Sequence, residues 1–103
     1  MLTFDAVVQS EETDQLTLVV TGDLDLMTVP VFLAAATDVL HQGPGQSLRL
    51  DLSGVGFMDS TGINAMIKLR EAAREAGRAL ELGAWSPYVD RVLRLVGLGE
   101  LLA

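Results

Sequence analysis

Asp59, Ser60, Thr61 and Gly62 place an acid, two consecutive hydroxyls and a glycine directly ahead of an apolar pattern of helical period. A serine in such a set can act as a nucleophile, provided a base takes its proton. The only histidine is His41. It falls at a predicted helix C-terminus, where the helix dipole favours a cation. The run "MDSTG" also lacks the first glycine of a G-x-S-x-G elbow. A small hydrolase built on Ser60 therefore has no base. No Gly-rich run ends in Lys, so no P-loop is present. The absence of cysteine excludes disulfides, thiolate chemistry and cysteine-ligated zinc. Two carboxylate pairs stand close in sequence. Glu11 and Glu12 fall in a polar turn. Asp23 and Asp25 follow a glycine at the end of an apolar strand, and one residue apart their side chains point to opposite sides of a continuing strand. They share a site only if the chain turns there, and a helix-entry turn with Thr28 as the N-cap is the default. No catalytic residue, metal site or cofactor is expected.

The remaining roles for the hydroxyls are capping and acceptance of a phosphate. Asp59 or Ser60 can cap the coming helix through a side-chain oxygen, a contribution of about 1 kcal/mol. Two features exceed what capping needs. Gly62 falls in the first turn, where glycine costs about 1 kcal/mol relative to alanine. Thr61 adds a hydroxyl where a better helix former would serve stability. Small residues at 60–62 keep the corner low, so that another molecule can approach the backbone. A helix N-terminus also accommodates an anion through its free N–H groups and its dipole. Phosphorylation of Ser60 would add about −1.5 to −2 charge there and block whatever docks, without unfolding the helix. At about 100° per residue, Ser60 and Ile67 fall within roughly 20° of each other. Asn64 lies beside them, and Glu71 and Arg74 continue that side. Ile63, Met66, Leu69, Ala73 and Ala76 form the core stripe. Ile67 is thus an apolar residue on a polar face, next to the two hydroxyls, and reads as part of a docking surface.

The elements that must position these residues can be read along the chain. "LTFDAVV" and "LTLVVTG" alternate as strands around the turn "EETDQ", which makes a hairpin. A helix runs from about Val29 to His41, with Pro30 in its first turn, and "QGPGQ" ends it. "SLRLDL" alternates strictly, with Leu48, Leu50 and Leu52 on one face. A second helix runs from about Ser60 to Ala76 and stops at Gly77. "RALELGA" is a further strand. Ser86 as N-cap and Pro87 open a last helix, broken at Gly97. The order β-β-α-β-α-β-α implies an α/β fold with a mixed, partly parallel sheet. Strands covered on both faces read as continuous apolar runs. These alternate, so the helices are expected mainly on one face.

The chain has 103 residues and a formal net charge of −7, with a pI near 4.4. That length suits one domain spanning 1–103, with a modest core. The scattered Lys and Arg give no basic footprint, which argues against nucleic acid and against an anionic membrane surface. No apolar run approaches the roughly 20 residues that cross a bilayer, and the start of the chain lacks a signal-peptide pattern. A soluble, cytoplasmic monomer is expected.

Three segments taken in order, "VTGDLDLMTVP", "SLRLDLSGVGFMDSTGINAMIKLREAAREAG" and "ALELGAWSPYVDRVLRLVGLGELL", resemble a STAS domain of the anti-sigma factor antagonist type. The most specific piece is F-M-D-S-T-G after a strand, together with G-D-L-D upstream. The resemblance implies a bacterial phosphorylation switch. The unphosphorylated antagonist binds an anti-sigma factor that is itself a serine kinase of the histidine-kinase-like ATPase fold, and so frees a sigma factor for transcription. The kinase phosphorylates the serine after the aspartate, which is Ser60 here, and the phosphoprotein lets go. A PP2C-type phosphatase resets the switch. Asp59 matches the acid before the acceptor and Gly62 the glycine two after it. Asp23 and Asp25 match the acidic turn beside the acceptor, with Asp23 where Glu is more usual. Thr61 stands where Ser is also common, and Asn64 where Gly is frequent. With Ile67, these residues make up the expected partner surface. Ser60 is then a substrate, and the chain is not an enzyme.

The alternative keeps the fold and drops the switch, as a STAS subunit of an ABC-type lipid-transport assembly. That role needs no phospho-acceptor, and D-S-T-G with an acidic turn weighs against it.

Overall fold

The computed structural model describes residues 5–12, 15–41 and 47–99. The elements follow the expected order: β1 (Asp5–Glu12), β2 (Gln15–Thr21), α1 (Val29–Leu40), β3 (Ser47–Gly54), α2 (Ser60–Glu75), β4 (Leu80–Trp85) and α3 (Pro87–Leu95). One sheet runs β1-β2-β3-β4, antiparallel between the first two strands and parallel thereafter. The mixed character follows from the connections. A short link returns the chain antiparallel, whereas a helix between strands carries it back to run parallel. Glu11 and Glu12, expected in the turn, belong to β1. Gln15, the last residue of that expected turn, begins β2; residues 13–14, the "QGPGQ" stop and the chain end lie outside the described residues.

The sheet buries one face. Leu16, Leu18 and Val20 of β2 and Leu48, Leu50 and Leu52 of β3 are all buried. Register places Leu16 against Leu48 and Leu18 against Leu50. Phe32, Ala36 and Val39 of α1, Met66, Leu69 and Ala73 of α2, and Val89 and Leu93 of α3 join the same cluster. All three helices therefore pack on that face, as the strand alternation implies. Each fully buried side chain of this size contributes about 1.5–3 kcal/mol. The alternate residues Thr17, Arg49 and Asp51 line a shallow depression on the other face with Gly83 and Ala84. Among the described residues, no helix is long and apolar enough to cross a membrane.

Two helices end alike. Ala76 caps α2, and Gly77 follows at φ 71°. The Arg78 N–H reaches the Ala73 carbonyl at 2.8 Å, and the Gly77 N–H reaches that of Arg74 at 3.1 Å. This is the Schellman arrangement, which favours glycine at the left-handed position. Gly97 ends α3 in the same way. Ala76, expected in the core stripe, is exposed, because it sits past the last full turn. The start of α1 also departs from expectation. Thr28 holds the N-cap position in helical conformation and makes no side-chain cap bond. The Asp25 side chain instead holds the turn that leads into the helix. Its Oδ1 accepts from the N–H groups of Met27 and Thr28 at 2.9 and 3.1 Å. The Thr28 hydroxyl turns back to donate to the Asp23 carbonyl at 2.6 Å.

Candidate functional site

Two loops leave the C-terminal ends of the parallel strands β2 and β3 side by side, the usual position of sites in open α/β sheets. Gly22 N–H donates to the Gly54 carbonyl at 3.1 Å, Leu24 N–H to that of Phe57 at 2.9 Å, and Asp59 N–H to that of Leu24 at 3.2 Å. Leu24 and Met58 form a parallel bridge. From the other side, α3 braces the second loop. The Ser86 hydroxyl donates to the Val55 carbonyl at 2.7 Å, and the Tyr88 hydroxyl to that of Met58 at 3.1 Å. The Phe57 and Tyr88 rings lie 5.9 Å apart. The start of α2 is thus fixed by hydrogen bonds from two directions.

Gly62 belongs to this brace. A β-carbon there would meet the Leu24 carbonyl oxygen and Met58 Cγ, each at 2.7 Å. Close approach by the chain's own Leu24 therefore accounts for glycine in the first turn, and Gly62 is buried. Leu24 is remote in sequence, so the residues around Gly62 give no local sign of this contact.

The cap is Asp59. Its Oδ1 accepts from the Thr61 N–H at 2.9 Å and the Gly62 N–H at 3.2 Å, and the Thr61 hydroxyl donates to the same oxygen. These bonds hold the carboxyl below its usual range. The Thr61 hydroxyl is the foremost cause; desolvation opposes it, and the N–H groups of Gly62, Thr61 and Leu26 add to it. Of the two capping candidates, the acid takes the role. Ser60 is the first residue of α2. It is exposed, and its hydroxyl has no partner among the described residues. Capping therefore explains Asp59 and Thr61 and leaves Ser60 unused inside the fold.

The other expected surface residues divide. Asn64 and Ile67 are exposed on the Ser60 side of α2. Asp23 is half-buried, and its carboxyl points towards Gly56, where an added β-carbon would lie 3.7 Å away. Asp25 is a turn-forming acid whose Oδ1 is engaged. Asp23 and Asp25 make no paired-carboxylate site. His41 lies at the far end of α2, in a depression shared with Ala72, Glu75 and Ala76. Its Nδ1 is 2.9 Å from the Thr37 carbonyl, so it offers Ser60 no base.

Leu26 and Met27 were not expected here. They are 71% and 82% exposed at the tip of the turn that Asp25 shapes. Leu26 also lines a groove of about 240 Å³ with Val29, Pro30 and Leu33 on the α1 side and Thr61, Asn64 and Lys68 on the α2 side. A sequence signal existed: two large apolar residues in a turn, where polar ones would be more soluble.

Residues 7–103 match the family model described as "Mlab, STAS domain". The chain is 33% identical over 79 residues to an anti-sigma F factor antagonist of Lysinibacillus sphaericus, covering 76% of this chain and 67% of that one. It is 28% identical over 95 residues to an anti-sigma-B factor antagonist of Listeria monocytogenes, covering 92% and 82%. The solved structure of an anti-sigma factor antagonist from Mycobacterium paratuberculosis superposes with a TM-score of 0.80 at 25% identity, covering 95% of this chain and 81% of that one. The chain belongs to the STAS domain family, among its anti-sigma factor antagonists.

Proposed function

We propose that the unphosphorylated chain binds an anti-sigma factor serine kinase of the histidine-kinase-like ATPase fold in the cytoplasm, frees a sigma factor, and is switched off by phosphorylation of Ser60. The observation that carries this reading is the Ser60 hydroxyl, exposed and unbonded at the first position of a 16-residue helix whose cap is supplied by Asp59. A phosphate there leaves the cap intact, and the helix dipole tolerates it. It adds charge to a surface that already holds Asp23 and Asp59, and it places that charge where a partner must desolvate it. The partner surface surrounds Ser60. It takes in Leu26, Met27, Asn64 and Ile67, the turn of Asp23 and Asp25, and Thr61, while Gly62 lies beneath it against Leu24 and Met58 and supports it from within. Ser60 is a substrate in this scheme and the chain does no chemistry of its own. A PP2C-type phosphatase restores the binding form.

Paired affinity capture from the native cell, with wild type and Ser60→Asp as baits, tests the reading. A histidine-kinase-like ATPase is expected with the wild type and not with Ser60→Asp. The same partner on both baits, or a transporter subunit on the wild type, overturns the switch and leaves the lipid-transport role.

A further inference from the structure

Ser60 and Thr61 are adjacent hydroxyls at one helix start, and a kinase reaching the first passes within one residue of the second. We infer that Asp59 decides between them, by holding the Thr61 hydroxyl in a bond that leaves only Ser60 free to accept phosphate. The inference rests on the reading of Ser60 as a phospho-acceptor, and it assigns Asp59 a role beyond capping.

Phosphoryl transfer from a nucleoside triphosphate forms an O–P bond to the hydroxyl oxygen. It breaks the bond from the γ-phosphorus to the β,γ-bridging oxygen, releases the nucleoside diphosphate, and passes the hydroxyl proton to a base of the kinase. The oxygen must be presented outward, in line with the leaving group. Ser60 meets this condition, since it is exposed with no bond among the described residues. Thr61 does not. It is half-buried, and its hydroxyl donates to Asp59 Oδ1, which also takes two N–H groups at 2.9 and 3.2 Å. Rotating the hydroxyl out breaks a charge-assisted bond. Asp59 does not act as a base for Thr61 either, because its carboxyl is held below the usual range and a weaker base takes a proton less readily. The product disfavours Thr61 as well. A phosphate on that oxygen would put a dianion at hydrogen-bond distance from a carboxylate. On Ser60 it points to solvent.

The test maps phosphate by mass spectrometry after incubation with ATP and the ATPase captured by the wild-type bait. Wild type is expected to carry phosphate on Ser60 alone, and Ser60→Ala to carry none on Thr61. Ser60→Ala/Asp59→Gly removes the carboxylate, with glycine nearly as well tolerated at an N-cap. It should carry phosphate on Thr61 at a rate at least about tenfold above the detection limit under which Ser60→Ala stays, the scale of one hydrogen bond. Amide exchange at Ile63, whose N–H donates to the Asp59 carbonyl at 3.0 Å, shows whether the first turn is kept in both variants. A gain on Thr61 with that protection kept reports the lost carboxylate, and a gain that comes with lost protection overturns the role of Asp59. Phosphate on Thr61 in Ser60→Ala, or its absence from the double variant, overturns the role of Asp59. A wild type that takes no phosphate at all overturns the switch itself. In that event the lock is judged without a kinase, by the NMR titration of Asp59 in wild type and Thr61→Val. A carboxyl that titrates at higher pH in Thr61→Val supports it, and unchanged titration overturns it.

Discussion

Two serines stand at two helix starts in this chain, and they have opposite fates. Ser86 caps α3: its oxygen accepts from the Val89 N–H at 3.2 Å and its hydroxyl donates to the Val55 carbonyl at 2.7 Å. Ser60 starts α2, where Asp59 has already taken the N–H groups of Thr61 and Gly62, and its hydroxyl bonds to nothing described. Both serines suit a helix start by type, so residue preference alone cannot separate them. What separates them is position by one residue and the presence of an acid at the cap. A hydroxyl in structural use cannot be modified without loss of its bonds, and an idle one can.

The comparison breaks most visibly in binding. Ser60→Asp should weaken capture of the kinase by about 2–5 kcal/mol, the scale of charge left unpaired in a contact. Its Tm should hold or rise slightly, because an acid in the first turn favours the helix by about 0.3–1 kcal/mol. Thermal melts beside pull-downs check both halves. Gly62→Ala comes next. Its β-carbon would lie 2.7 Å from a backbone oxygen, so urea unfolding should show a loss of about 1–3 kcal/mol, the usual cost of overpacking. Ser86→Ala should cost about 1–2 kcal/mol for a cap and a loop tether. Ser60→Ala should stay within about 0.5 kcal/mol of wild type and bind constitutively. Equal destabilisation by the two alanines would erase the distinction.

The smallest effect concerns pH. The Asp59 carboxyl lies lower in the fold than in the unfolded chain. Its contribution is therefore present above the unfolded value of about 3.9 and is lost as pH falls through the folded one. Asp59→Asn should flatten stability between neutral pH and that acid range slightly. Thr61→Val should do part of the same, since the Thr61 hydroxyl is the foremost cause.

Much of the fold was legible because alternation is a one-sided signal. Leu48, Leu50 and Leu52 face a single core, and a slip of one residue would expose all three. Pro87 after Ser86, and Gly77 after α2, mark helix ends through local backbone needs. The misses came where a distant segment or a competing side chain decided the outcome. Thr28 looked like a cap, but its backbone is already helical and its hydroxyl turns back to the Asp23 carbonyl. Gly62 looked like an opening for another molecule, and its reason is the Leu24 carbonyl, remote in sequence. The sequence left Asp59 and Ser60 as equal candidates for the cap, because only the backbone geometry at residue 59, extended at ψ −170°, makes it the N-cap and Ser60 the first helical residue. Leu26 and Met27 carry a composition signal, two apolar residues in a turn, but their exposure depends on the turn that Asp25 holds.

The most direct measurement is the affinity of the kinase for the chain before and after phosphorylation of Ser60, by calorimetry, with a melt of each form. The account predicts at least about thirtyfold weaker binding by the phosphorylated chain, equivalent to about 2 kcal/mol, at an unchanged Tm. Equal affinity, or weaker binding that comes with a lowered Tm, would contradict it.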